Sequence, residues 1–331
     1  MHKGPKAHNV AVSNFLIKRR MLLGFVLGVL ACAIWGLIYI FPLVLPDYHP
    51  VIIASARFAM YGLTCLMILP IQIKELKKLT RSDWWVALRL AFFGSLVYYF
   101  CLVISVKLSG APICGMLMCW IPVLVAIVAN YSAKSEQKVP WSRLAMPLGL
   151  IIVGMFVANW SEFEYITEVQ QGSPLEFGLG IAAGVASLLL WTWFPIRNAR
   201  WLLDNKGKSP KVWATAQGLS VFPVSTLGFF IASFYFLPQG QLLGPDPVFF
   251  VLMMIVAGVC CSWLGAVLWN GMSQRLPPAL GGQLIVFETI FSVLYALLWR
   301  GQWPTVSLIV GMLMLLSGVL LALRVFRNTE V

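Results

Sequence analysis

Charge is scarce in this chain. Charged side chains make up 11% of its 331 residues, where soluble proteins carry about 25%, and hydrophobic residues make up 60%, where about 45–50% is usual. That excludes an ordinary soluble domain. Histidine is rarer still: His2, His8 and His49 all fall outside the long apolar runs. The seven cysteines (Cys32, Cys65, Cys101, Cys114, Cys119, Cys260 and Cys261) lie inside those runs, form no CxxC pair and have no histidine nearby. Neither a zinc site nor a disulfide framework is expected, and they read as small packing residues. No Walker A sequence offers an ATP site, and no aspartate-rich cluster could hold magnesium pyrophosphate. The expectation is no metal, no cofactor and no enzymatic activity.

What is present is apolar length. Ten runs, at residues 21–45, 51–73, 84–107, 110–131, 142–160, 176–199, 212–237, 247–273, 277–299 and 304–325, can each cross about 30 Å of hydrocarbon at about 1.5 Å per helical residue. Membrane-spanning strands would alternate with a period of two, and runs such as Val251 to Val259 do not, so an all-α membrane protein is expected. Residues 1–20 form a basic tail leading into an apolar run too long for a cleaved signal peptide and without a small-residue cleavage site.

The net charge of +12 is a topology signal, not a nucleic-acid footprint. Basic residues collect in the tail (Lys3, Lys6, Lys18, Arg19, Arg20) and in alternate loops (Lys74, Lys77, Lys78, Arg81; Lys134, Lys138, Arg143; Arg197, Arg200, Lys206, Lys208, Lys211; Arg275), then at Arg324 and Arg327. The opposite side holds only Lys107 and Arg300 beside the acidic Glu162, Glu164, Glu168 and Glu176. The positive-inside rule, like the even span count, puts both termini in the cytoplasm.

Five spans per half is an odd number, so the second half enters the membrane inverted. Inverted halves are how many carriers build one site reachable from either side. The expected organisation is the tail (1–20), a first five-helix repeat (21–160), an external linker (161–175) and a second five-helix repeat (176–326). Segments match in order across the halves: Leu108-Ser109-Gly110-Ala111-Pro112 with Leu276-Pro277-Pro278-Ala279, Trp120-Ile121-Pro122 with Phe287-Glu288-Thr289, and Ser135-Glu136 with Gly301-Gln302.

With Ile34-Trp35-Gly36, Ala111-Pro112, Pro122, Arg197-Asn198-Ala199-Arg200-Trp201, Ala214-Thr215-Ala216-Gln217-Gly218 and Gln283-Leu284-Ile285-Val286-Phe287-Glu288-Thr289, the chain resembles an EamA-type member of the drug/metabolite transporter superfamily. The likeness covers nearly all of residues 21–326, and the later motifs resemble its YtfF-like subgroup of bacterial inner-membrane proteins. Where that family carries Glu-Pro and Gly-Glu, this chain has Glu288-Thr289 and Gly301-Gln302. The resemblance implies a cavity between the repeats, lined mainly by the first, third, fourth, sixth, eighth and ninth spans.

Glu288 is the only acidic residue deep in a span, about eleven residues or roughly 16 Å from the cytoplasmic end. A carboxylate at mid-membrane must be protonated, paired or facing water, and a fixed structural pair stands beside a functional role. Arg57, roughly 10 Å in from the other face, is within reach as its partner or as a two-pronged binder of a substrate carboxylate. The alternatives are a fixed pair or a side chain snorkelling outward. Arg89, near the cytoplasmic end of the third span, reads as snorkelling.

Trp35, Trp120, Trp191, Trp193, Trp263 and Trp269 lie within spans and not at the interfaces where tryptophan collects. Trp191 and Asn198 are seven residues apart, as are Trp263 and Asn270, which places each pair on one helical face. Gly94, Tyr98, Cys101 and Ser105 make a small or polar stripe on the third span, and Gly24 with Gly28 and Gly180 with Gly184 read as close helix contacts. Packing explains such features as readily as a cavity does.

The expectation is a secondary transporter of the bacterial inner membrane, exporting amino acids, amines or related small metabolites, as monomer or dimer. Trp35, Tyr98, Trp120, Trp191 and Trp263 would line the site, with Asn198, Asn270 and Gln283 orienting the ligand. Arg57 would take its carboxylate, and Glu288 would couple protons or bind its ammonium. The alternative is a lipid-handling protein or flippase with a laterally open cavity.

Overall fold

The computed structural model describes residues 5–118, 120–131, 139–158, 160, 173–301 and 303–327. Most of the expected linker, together with Cys119, Ser135-Glu136 and Gln302, lies outside them. Among the described residues the fold is wholly helical, without strands. Eight helices among those residues are long and apolar enough to cross a membrane, and Val306–Ala322 is a shorter apolar helix.

Helix α1 (Pro5–Gly36) runs through a tight turn (Leu37–Tyr39) into α2 (Phe41–Val44). It starts inside the expected tail, whose lysines, arginines and alanines are good helix formers. Next come α3 (Pro50–Leu76), α4 (Arg81–Ala91), a wide π-helical segment (Phe92–Val97) and α5 (Tyr98–Ser109). Helices α6 (Ala111–Met118) and α7 (Ile121–Tyr131) precede α8 (Trp141–Ala158). Then follow α9 (Pro174–Asp204), α10 (Pro210–Phe236) and α11 (Pro247–Ile255), with a second π segment (Val256–Leu264) leading into α12 (Gly265–Ser273). The chain ends with α13 (Pro278–Leu284), α14 (Val286–Arg300) and α15 (Val306–Arg327).

Two interruptions have local causes. Pro122 has no N–H for the Met118 carbonyl, so the helix breaks between α6 and α7. Gly281-Gly282, poor helix formers, precede the break at Ile285 between α13 and α14. That break sets Glu288 in the first turn of α14, where the helix dipole favours a carboxylate.

Lipid tails are as apolar as leucine, so packing and hydrogen bonds, not burial from water, join these helices. The main contacts run α3 with α10, α8 with α15, α5 with α9, α1 with α12, and α7 with α13. Every one joins the first 160 residues to the rest. Glycines let two of them close. A Cβ on Gly24 would sit 2.9 Å from Leu276 Cγ, and one on Gly180 would sit 2.7 Å from the Ser109 nitrogen. On the outside, Ile71, Phe234 and Leu298 are 85%, 81% and 79% exposed, an apolar surface that belongs in lipid.

Candidate functional site

A cavity of about 500 Å³, counting the part open to solvent, lies among α1 and the turn after it, α3, α5, α9, α10, α12, α14 and both π segments. The π segments widen the helical turn and supply Ser95 on one side and Cys261 with Ser262 on the other.

One wall is aromatic. Tyr98 stacks on Trp191 at 4.5 Å between ring centres, and Trp191 stacks on Phe194 at 5.2 Å. Trp35 meets Trp191 edge-on at 5.4 Å and donates its indole N–H to the Cys261 carbonyl at 2.9 Å. Gly265 leaves the room that this indole occupies.

The cavity holds one cation and one carboxyl group. Arg57 is 5% exposed; its Nε donates to Ser262 Oγ at 3.1 Å, and a terminal nitrogen donates to the Cys261 carbonyl at 3.4 Å. Its guanidinium also lies over the rings of Tyr99 at 4.8 Å and Phe58 at 5.0 Å. Glu288 is 2% exposed and accepts from the Tyr39 hydroxyl at 3.2 Å. Arg57 and Glu288 therefore share the cavity wall, but among the described residues they form no ion pair with each other. Three buried polar atoms there lack a hydrogen-bond partner among the described residues: the Tyr98 hydroxyl, the Trp191 N–H and the second Glu288 oxygen.

Of the residues singled out from sequence, Trp35, Arg57, Tyr98, Trp191 and Glu288 meet at this wall. Asn198 and Asn270 do not. Asn198 donates to Asn270 Oδ1 at 2.7 Å and accepts from Trp213 Nε1 at 2.8 Å and Gln217 Nε2 at 2.9 Å, one layer behind the cavity. Trp263 bonds Thr215 Oγ1 at 3.1 Å, away from the wall. Asn270 also meets α10, donating to the Pro210 carbonyl at 3.4 Å, so both side chains turn toward the same neighbouring helix. Gln283 is fully buried, with both amide atoms unpartnered among the described residues, and lies outside the cavity lining; Trp120 is 40% exposed next to the break after α6. Tyr39, Gln217, Ser262 and Cys261 were not singled out. Only Gln217 left a trace, within the Ala214–Gly218 motif.

A chain of apolar helices around a partly open cavity of this polarity has the build of a membrane transporter. It belongs to the EamA-like transporter family. Residues 22–160 match that family's model, and the chain is 37% identical over 314 residues to Inner membrane protein YtfF of Escherichia coli (strain K12), spanning 92% of this chain and 96% of that one. A solved crystal structure of 15% identity superposes with a TM-score of 0.68 over 92% of this chain and 97% of the other, a likeness of fold alone.

Proposed function

We propose that the protein is a secondary-active transporter of the inner membrane that exports amino acids, amines or related amphipathic metabolites by alternating access. The observation that carries this reading is one cavity with a cation, a carboxyl group and three polar atoms unpartnered among the described residues, beside an aromatic wall. Unpartnered buried polar groups are costly, so a ligand that satisfies them is held by them. A zwitterion fits: its carboxylate meets Arg57, its ammonium donates to the free Glu288 oxygen, and its apolar part lies on Trp35, Trp191 and Tyr98. The Trp191 N–H and Tyr98 hydroxyl then close the remaining bonds.

Two inverted five-helix halves, with both termini cytoplasmic, are the frame of this proposal. Exchanging first for sixth span, second for seventh and so on maps the observed helix pairings onto themselves. The π segments of the third and eighth spans exchange as well, as do the helix breaks beside Pro122 and Ile285. The glycine contacts obey the same exchange: Gly24 meets Leu276, and Gly180 meets Leu108 and Ser109. The inner-membrane relative and the apolar exterior support the location.

Glu288 is the proposed proton-coupling group. In proteoliposomes carrying a ligand found by thermal-shift screening of metabolites, Glu288→Gln should abolish the pH dependence of transport. Unchanged transport with unchanged pH dependence removes the coupling role. A screen in which only lysolipids raise the melting temperature favours the lipid-handling reading.

A further inference from the structure

Behind the cavity, an unbroken chain of contacts runs to the end of the molecule where the basic loops gather. It begins at Gln217, which lines the cavity and donates to Asn198. Asn198 accepts also from Trp213, whose ring stacks on Trp201 at 3.4 Å between centres, with the planes 10° apart. The Trp201 indole donates to Asp83 Oδ1 at 3.1 Å, and Lys208 Nζ donates to Asp83 Oδ2 at 2.7 Å while sitting 5.1 Å over the Trp201 ring. Gln274 then holds the Lys208 carbonyl at 2.9 Å, and Arg20 holds the Gln274 carbonyl at 2.7 Å. The chain ties together α1, α4, α9, α10, α12 and the turn after α9.

Apart from Gln217, the chain lies outside the cavity lining, and its inner members are tightly buried. Trp213 and Asn198 are fully buried, and the Asp83 side chain is 9% exposed against 27% for Lys208. Lys77, Lys78 and Arg81 flank Asp83 in the sequence, and Arg200 and Lys206 flank Trp201 and Lys208, yet Lys208 alone of the basic residues bridges to Asp83 among the described residues. A charge-assisted bond seated on a stacked pair of indoles is strong while dry and breaks once water enters.

We propose that the Asp83–Lys208 pair, seated on the Trp201–Trp213 stack, is the gate at the basic-loop end of the cavity, and that Gln217 links it to the ligand. A ligand that bonds Gln217 competes with Asn198 for the same amide and loosens the stack beneath Asp83. The proposal rests on the alternating-access reading, and the experiment separates the two.

Asp83 also completes the capping box of α4 with Thr80, so its replacement would disturb a helix end as well as the gate. Lys208 lies in a turn and is the cleaner target. Lys208→Met keeps the apolar stem over Trp201 and removes only the charge, whereas Lys208→Arg keeps the charge. The reporter is Ser95→Cys, at the cavity wall and partly accessible, in a full-length protein whose native cysteines are replaced. It is labelled by a membrane-impermeant maleimide in oriented vesicles, from each face in turn.

From the basic-loop face, Lys208→Met should label about tenfold faster, the shift expected from losing one charge-assisted bond. Lys208→Arg should keep the native rate. From the other face, Lys208→Met should label no faster than the native protein. A native rate for Lys208→Met on the basic-loop face overturns the gate. Faster labelling on both faces at once removes the alternating-access reading, and the gate with it.

Discussion

Arg57 shows why one residue type is needed at one place. Its planar fork reaches Ser262 and the Cys261 carbonyl while its face covers Tyr99, which leaves donor capacity directed into the cavity. Lysine offers a point charge without that geometry. Arg57→Lys should therefore keep the fold but weaken binding of a carboxylate ligand about tenfold, close to 1.4 kcal/mol, as read by calorimetry on purified protein. Arg57 and Glu288 stood out in the sequence because charge inside an apolar span is expensive and rare. Tyr39, Ser262 and Gln217 did not, since such residues recur along helices and only packing selects the ones that face the cavity. At the opposite end His49 makes a separate case. It stacks on Phe236 at 3.6 Å, and its Nδ1 accepts the Val51 N–H that opens α3. Burial, then the charge of Lys107, holds its pKa below the usual 6.5. A depressed histidine pKa means that the neutral form stabilises the fold: its contribution is full above about 6.5 and is lost as pH falls through the lower folded value. The thermal midpoint should decline on acidification, and His49→Asn, which retains an acceptor at the cap, should flatten that decline.

Among elements, departures from the regular helix decide what reaches the cavity. Both π segments lie where a strict 3.6-residue count would place a uniform face, and each turns short polar residues inward. The π segments carry no marker of their own in the sequence, while the apolar lengths and proline positions that mark the helices were readable directly. Glycine spacing was also readable, though its consequences differ between sites. At Gly28 a Cβ would meet Leu284 Cδ1 at 2.6 Å and Met272 Cγ at 3.1 Å, both on flexible side chains. At Gly180 it would meet the Ser109 backbone nitrogen at 2.7 Å, which cannot swing aside. Alanine gains about 1 kcal/mol of helix propensity over glycine, and forced overpacking costs about 1–3 kcal/mol. Gly28→Ala should thus be close to neutral and Gly180→Ala clearly destabilising when unfolding midpoints are compared in the same detergent.

For the whole molecule, under the proposed alternating access, the pairings divide the helices into those that must move and those that need not. Alternating access rocks one group of helices against another about a central site, so contacts far from that site are able to persist through the cycle. Helices α8 and α15 pack closely on each other, a Cβ on Gly154 lying 2.9 Å from the Gly311 carbonyl, and neither contributes to the cavity. Helices α4 and α9, by contrast, are joined at the basic-loop end through Asp83 and Trp201 and must part if the cavity is to open there. A bifunctional thiol reagent bridging Val153→Cys and Val310→Cys, one residue before those glycines and both facing lipid, should leave transport by the cysteine-replaced protein essentially intact. The same reagent bridging Arg81→Cys to Asn205→Cys, across the mouth between α4 and α9, should stop transport, and cleaving the linker should restore it. Transport blocked by the first bridge would mean that α8 and α15 separate during the cycle. Transport surviving the second would mean that the basic-loop end stays shut and that the ligand leaves by another route.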